Sequence, residues 1–198
     1  MEVWREAAGH AGGIEVIELF LRGALSLKVG CLPCQPNWLC GNKNKVVASD
    51  DFYILALLTS SAHRTWMHAQ KGTLKGDIAY THDSIFETFP FPQIVAPELV
   101  DQIRQAMTTL NDYRNEVMLA RNCGITDLYS AYFHEPASQL AKLHQALDVL
   151  VLKAYGWKAS DNILSNLLDL NLELAGREAA GETVVGPWAT GSHQGRLP

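Results

Sequence analysis

The chain has 198 residues, enough for one domain or two small ones, and its hydrophobic fraction of 47% is ordinary for a globular protein. It has no apolar run near the roughly 20 residues of a transmembrane helix, and no signal-peptide pattern at its start, so a cytoplasmic location is expected. A formal net charge of −5 is the wrong sign for a simple DNA-coating protein.

Positive and negative charges are unevenly distributed along the chain. Residues 41–76 contain five Lys or Arg and two Asp, whereas residues 77–116 contain seven Asp or Glu and two Arg. A basic block before an acidic one is compatible with a single DNA-facing surface on an acidic body. The same pattern is equally compatible with chance, so it adds little to the argument.

The N-terminal segment, residues 1–41, shows no family pattern. Residues 14–28 are mostly apolar and predict a short buried helix or strand, two outcomes that periodicity does not separate. The stretch with Cys31, Cys34 and Cys40 predicts a loop, because prolines interrupt it. The Cys-x-x-Cys pair is compatible with a zinc or redox site. Reduced thiols are favoured, since no fourth ligand lies nearby in the sequence.

The central segment begins with a β-branched run at residues 45–49, which predicts a short strand. One helix is then predicted over residues 52–67, with Asp50 or Asp51 as its cap, and it ends before Gly72. The first half of this helix is apolar nearly all round and predicts burial on several sides. A polar loop follows, and residues Ile85 to Phe91 predict an extended edge that ends in prolines.

The last half of the chain predicts helices with one apolar face each. A flexible tail is expected after Gly176, where glycines and small residues accumulate. Four helices are predicted, which begin at or near Pro97, Asp127, Pro136, and Ser160 or Asp161. The third of them ends at Gly156.

Several short runs, taken in order, carry a resemblance to a known family. The first runs are Ser60–Trp66, Gly72–Lys75, Tyr80–Thr81 and Phe86–Pro92; the later ones are Gly124–Tyr129, Leu147–Asp148, Ala154–Trp157 and Leu170–Glu173. Over residues 42–186 the chain resembles the C-terminal target-recognition region and helical tail of adenine-specific DNA methyltransferases, including those fused to type II restriction nucleases.

The resemblance implies an α+β, mainly helical fold with four regions. These are an uncertain segment (1–41), a partial target-recognition domain (42–95), a helical domain (96–176) and a flexible tail (177–198). It implies double-stranded DNA as a partner, together with a methyltransferase catalytic domain or subunit that uses S-adenosylmethionine. A remnant that contacts only protein is the alternative, with apolar surface uncovered at residues 52–58.

The motifs of methyl transfer are absent from the sequence. We find no glycine-rich turn for a methyl donor and no Asn/Asp-Pro-Pro-Tyr/Phe loop, so no catalytic or cofactor-binding residue is predicted. Asp50 and Asp51 are interpreted as helix caps rather than metal ligands. We therefore expect a chain that is non-catalytic alone and that recognises DNA for an adenine-N6 methyltransferase.

Five side chains are candidate DNA contacts. Arg64, Lys71 and Lys75 are the cations nearest the glycines at which backbone can approach a phosphate, and Thr73 and Tyr80 offer hydroxyl groups. The alternative for the lysines is ordinary solvent exposure. The neighbouring aromatic side chains and His63 are expected in the core rather than on DNA bases; the aromatic residues are Trp66, Phe86, Phe89 and Phe91.

Overall fold

The computed structural model describes residues 16–20, 30–34, 45–47, 49–70, 73–74, 77–78, 80–135 and 137–186. Its strands are β1 (Val16–Phe20), β2 (Gly30–Cys34), β3 (Lys45–Val47), β4 (Thr73–Leu74) and β5 (Asp77–Ile78). Its helices are α1 (Phe52–Thr59), α2 (Ser61–Gln70), α3 (Pro97–Arg121), α4 (Ile125–His134), α5 (Gln139–Tyr155) and α6 (Ile163–Ala179). The predicted mainly helical character is confirmed. The strands are short, and an α+β class is not confirmed.

Strands β1, β2 and β3 form an antiparallel sheet in the order β2-β1-β3. The sequence left open whether residues 14–28 form a helix or a strand, and the structure has a strand there, at Val16–Phe20. The loop predicted around Cys31 and Cys34 is wrong for the backbone of β2, because that strand pairs with β1 along its whole length. Pro33 is tolerated there, since β2 lies at an edge of the sheet as described.

Two helices, α1 and α2, occupy the region where the sequence predicts one. The prediction of a single helix is wrong at Ser60, whose backbone is extended (φ −68°, ψ 162°). The Ser60 hydroxyl donates a 2.7 Å hydrogen bond to the Leu57 carbonyl and accepts the His63 N–H at 3.4 Å. Serine side chains that bond to nearby backbone compete with helical hydrogen bonds. One side chain thus helps to end α1 and to begin α2.

Asp51 is the cap of α1. Its Oδ1 accepts the Tyr53 N–H at 2.8 Å, and Arg104 on α3 donates from Nε and Nη2 to the two carboxylate oxygens at 2.8 Å each. Burial alone would raise the pKa of Asp51, but the hydrogen bonds from Arg104 and Tyr53 hold it below its ordinary value. The start of α1 is in this way fixed to α3.

The extended edge predicted from Ile85 to Phe91 is wrong at its N-terminal end. The backbone forms a π-helical turn at His82–Phe86. The Thr88 hydroxyl donates a 2.7 Å hydrogen bond to the Ser84 carbonyl. Such local side-chain bonds offer the backbone an alternative to a strand ladder.

The later helices begin close to the predicted positions, with shifted caps. α3 begins at Pro97 as predicted, and α5 ends at Gly156, whose positive φ of 75° favours glycine. α5 is capped by Ser138, and α6 is capped by Asn162 rather than by Ser160 or Asp161. None of the described helices has both the length and the apolarity needed to cross a bilayer.

A single hydrophobic core runs from Val47 to Leu167 through all six α-helices. Each residue from Tyr53 to Leu58 is at most 4% exposed. The expectation of uncovered apolar surface at residues 52–58 is therefore wrong for 53–58, because helices of the same chain cover them. The core contains side chains from both sides of the predicted boundary at residues 95 and 96. The division into domains stays a prediction.

Candidate nucleic-acid interface

The segment predicted to contact DNA consists of α2 and the β4–β5 hairpin that follows it. Lys71 and Lys75 lie outside the described residues. Thr73 is described only in its backbone, which pairs with Ile78 across the hairpin. The structure therefore places the side chains of two of the five candidates, Arg64 and Tyr80, and their DNA contacts stay predictions.

Arg64 is half-buried in the first half of α2, and its charge acts on two residues of α5. Burial raises the pKa of Asp148, and the charge of Arg64 opposes this shift. At His144, burial lowers the pKa, and the charges of Arg114 and Arg64 lower it further. Gln70, the last residue of α2, is six positions beyond Arg64, a rise of about 9 Å. Arg64 therefore lies beside α5, toward the end of α2 that is remote from the hairpin.

Tyr80 is buried and bonded to His63. The His63 Nε2 atom lies 3.1 Å from the Tyr80 hydroxyl, and Nδ1 lies 2.8 Å from the Leu58 carbonyl. Because a carbonyl only accepts, Nδ1 donates and Nε2 accepts from Tyr80. Burial lowers the pKa of His63 to about 4, so the ring is neutral at pH 7. In this conformation the Tyr80 hydroxyl faces the core and not a surface.

The aromatic residues of this segment belong to the core, as predicted. Trp66, Phe86, Phe89 and Phe91 are each at most 2% exposed. The Phe89 ring meets the His63 ring edge-on at a centroid distance of 4.9 Å. Bases would need a conformational change to stack on any of these four side chains.

Three side chains of α5 and α6 hold residues 60–93 in place. The Asp148 carboxylate accepts the Ser61 N–H at 2.7 Å, and the Asn171 amide donates to the Thr88 carbonyl at 2.8 Å. The third, Tyr155, donates from its hydroxyl to the Pro90 carbonyl at 2.8 Å. All three lie in runs that carry the family resemblance, but their contacts were not predicted, because one sequence does not show which backbone groups they reach.

A second buried polar cluster joins α3, α4 and α5. Arg114 donates to the Tyr129 hydroxyl, which lies 2.7 Å from Nε2 of His144, and the three residues are 0%, 6% and 3% exposed. Burial and the nearby charge of Arg114 lower the pKa of His144 to about 3. This cluster was not predictable from the sequence, since its members stand far apart in the chain.

In the part of the chain that is described, we find no metal-binding or thiol-based site. Among these residues, no group of three or more His, Cys, Asp or Glu is placed to hold a metal ion. Cys31 and Cys34 lie in strand β2, their side chains are not described, and Cys40 falls outside the described residues. Asp51 serves the cap of α1 and the contact with Arg104.

Comparison with known proteins relates this arrangement to one kind of domain. Residues 29–93 match the family described as "MmeI, target recognition domain". Over 138 residues the chain is 29% identical to DNA methyltransferase A of Bacillus subtilis (strain 168), a match that covers 67% of this chain and 15% of that protein.

A solved structure shares the fold. It is the type IIL restriction-modification enzyme MmeI in complex with DNA, with a TM-score of 0.60 and 18% identity over 84% of this chain and 22% of that enzyme. The chain thus spans less than a quarter of either relative. The resemblance predicted from the sequence is confirmed: residues 29–93 match a target-recognition family, and the chain is similar to a DNA methyltransferase.

Proposed function

We propose that the chain is the DNA target-recognition part of a site-specific adenine-N6 DNA methyltransferase of a restriction–modification system, and that it is non-catalytic alone. The observation that carries the proposal is the match of residues 29–93 to a target-recognition family. This range contains α2, the hairpin and all five candidate DNA contacts. The comparison enzyme, MmeI, was solved in complex with DNA. A cytoplasmic location, where genomic DNA is accessible, belongs to the same proposal.

S-adenosylmethionine is assigned to a methyltransferase domain or subunit outside these residues. The proline pair nearest to a methyltransferase loop, Pro90 and Pro92, does not fit that role. Both prolines are buried, and the Pro90 carbonyl accepts the hydroxyl of Tyr155 at 2.8 Å. The Pro90 carbonyl is therefore engaged inside the protein, which supports the assignment of methyl transfer to a partner.

The candidate contacts Arg64, Lys71, Thr73 and Lys75 supply positive charge and a hydroxyl for phosphates. The expected interaction depends on counterion release, so its affinity falls steeply with salt. Tyr80 would take part only after leaving His63, since its hydroxyl is buried. We assign Tyr80 the role of a contact that requires this rearrangement.

Two measurements on the purified full chain test the proposal. Binding to a duplex of random sequence is followed over a salt series, and methyl transfer is followed with labelled S-adenosylmethionine. We expect salt-sensitive binding and no incorporation of label. Methylation by this chain alone would refute the non-catalytic assignment, and the absence of binding at low salt would refute recognition.

The adenine assignment needs a separate experiment. The chain is co-expressed with the methyltransferase part of a relative such as DNA methyltransferase A, and the modified bases are mapped by sequencing. N6-methyladenine at one recurrent sequence is the expected product. Methylation of cytosine at such a sequence would contradict the adenine assignment and leave the recognition role intact.

We also propose that residues 42–95 and 96–176 are separate units of an α+β arrangement, as the resemblance implies. Limited proteolysis is the test. Cleavage between the units with retention of two folded fragments would support the division. Disappearance of both fragments after a single cut would contradict it.

A further inference from the structure

Helix α2 starts directly after the break at Ser60, and its first turn contains no acidic side chain. The first N–H groups of a helix lack partners within the helix and carry partial positive charge. The hydroxyl of Ser60 accepts the His63 N–H at 3.4 Å, which is a long hydrogen bond. The start of α2 is thus only weakly capped by its own sequence.

A stronger acceptor comes from helix α5. The Oδ1 atom of Asp148 accepts the backbone N–H of Ser61 at 2.7 Å, across 87 residues of sequence. Hydrogen bonds to a charged acceptor are about twice as strong as neutral ones. Asp148 therefore fixes the start of α2 against α5.

Arg64 lies one turn beyond Ser61 on the same helix. Residues three apart are neighbours on a helix surface, so Arg64 and Ser61 share the side that faces α5. The charge of Arg64 acts on Asp148 and on His144 of that helix. A displacement of the first turn of α2 would therefore displace the guanidinium of Arg64.

We propose that Asp148 is a positioning residue of the DNA-contacting surface, which caps α2 from helix α5 and so holds Arg64 within reach of a phosphate. The inference rests on the proposed function, since it requires α2 to contact DNA. Asp148 does not itself bind DNA, because its charge would repel phosphates. It lies outside residues 29–93, which match the recognition family, so a residue of α5 takes part in recognition.

The test uses the full chain and three substitutions. Asp148→Ala removes the cap, whereas Asp148→Asn keeps an oxygen that accepts the Ser61 N–H. Asp161→Ala is the matched control, because Asp161 Oδ2 also accepts a backbone N–H, that of Lys158 at 2.8 Å, in an exposed turn. Amide hydrogen exchange is measured at Ser61, His63 and Arg64. Affinity for a random-sequence duplex is measured at a temperature where α3 keeps its exchange protection.

We expect Asp148→Ala to speed exchange at the start of α2 about fivefold, the effect of removing a good helix cap, and to weaken DNA binding by about the same factor. Asp148→Asn should restore most of the exchange protection and of the DNA affinity, because its amide oxygen still accepts the Ser61 N–H. Asp161→Ala should match the wild type in both measurements. A role in stability alone would leave DNA affinity unchanged while the chain is folded.

A second variant keeps the proposal testable if Asp148→Ala does not fold. Ser61→Pro removes the backbone N–H that Asp148 accepts, and proline is well tolerated at the first position of a helix. It should weaken DNA binding as Asp148→Ala does. The inference is overturned if neither Asp148→Ala nor Ser61→Pro weakens DNA binding relative to the wild type. It is also overturned if Asp148→Asn fails to restore that binding. Absence of binding by the wild type instead rejects the proposed function itself, and the inference with it.

Discussion

The hydroxyl of Tyr155 donates a 2.8 Å hydrogen bond to the carbonyl of Pro90, across 65 residues of sequence. Tyr155 also stacks on Trp157, with ring centroids 4.3 Å apart and an angle of 14° between the rings. Burial raises the pKa of Tyr155 well above its ordinary value, so the hydroxyl keeps its proton for this bond. One side chain thereby joins the end of α5 to the segment that contains Pro90 and Pro92.

Replacing Tyr155 with Phe should test this contact. The ring stays, but the buried Pro90 carbonyl is left without its donor, which should cost about 1–3 kcal/mol of unfolding free energy. Denaturant unfolding measures the change. Tyr113→Phe is the matched control, because Tyr113 is half-buried and its hydroxyl has no hydrogen bond to any residue that the structure describes. Equal destabilisation of the two variants would contradict the assigned role of the Tyr155 hydroxyl.

The cap of α1 gives a second prediction. Asp51→Ala removes the acceptor for the Tyr53 N–H and for Arg104, and should lower the unfolding free energy by about 1–2 kcal/mol. Asp51→Asn keeps a good cap and removes only the charge, so its cost should stay below about 1 kcal/mol, because Arg104 is partly exposed. Thermal unfolding of both variants checks this order. If Asn is as damaging as Ala, the ion pair with Arg104 and not the cap is decisive.

The buried imidazole of His63 predicts a pH dependence of stability. Its pKa is about 4 in the folded chain and ordinarily 6.5, so the unfolded chain binds more protons between these values. Its contribution to stability is therefore complete above pH 6.5 and is lost as the pH falls toward 4. In the middle of the range between these two pKa values, the free energy of unfolding should fall by about 1.4 kcal/mol for each unit by which the pH is lowered.

His63→Gln isolates that contribution. Unfolding free energies of the variant and the wild type are compared at pH 8, 7, 6 and 5. Their difference should be constant between pH 8 and 7, where the imidazole is neutral in both states, and should shrink between pH 6 and 5. A constant difference over the whole series would show that His63 titrates alike in the folded and unfolded chains.

Local signals predicted part of this fold well. Pro97 begins α3 and Gly156 ends α5, because proline suits a first helical turn and glycine a left-handed end. The break at Ser60 was not predictable in the same way. Apolar residues keep helical spacing across it, at Leu58, Ala62 and Trp66. The start of α2 depends on Asp148, which lies 87 residues further along the chain.

The candidate site was predictable in its chemistry more than in its geometry. The burial of Trp66 and Phe89 follows from their apolar character. Tyr80 was expected to offer its hydroxyl to DNA, but burial and the contact with His63 turn it inward. Amino-acid type reports what a side chain can bind, whereas the partner it meets is fixed by tertiary packing.

In the proposed function, cations near α2 and the hairpin attract DNA, and the decisive test of this attraction is the salt dependence of duplex binding. Two triple variants with the same change of net charge are compared with the wild type. The recognition variant replaces Arg64, Lys71 and Lys75 with Ala. The control variant replaces Lys142, Lys153 and Lys158, which are exposed in or near α5.

The slope of the logarithm of the binding constant against the logarithm of salt concentration should be shallower for the recognition variant, by about 0.9 for each phosphate that its side chains no longer neutralise. The control variant should keep the slope of the wild type. If the two variants change the slope equally, or if neither changes it, the DNA-contacting surface does not lie at α2 and the hairpin.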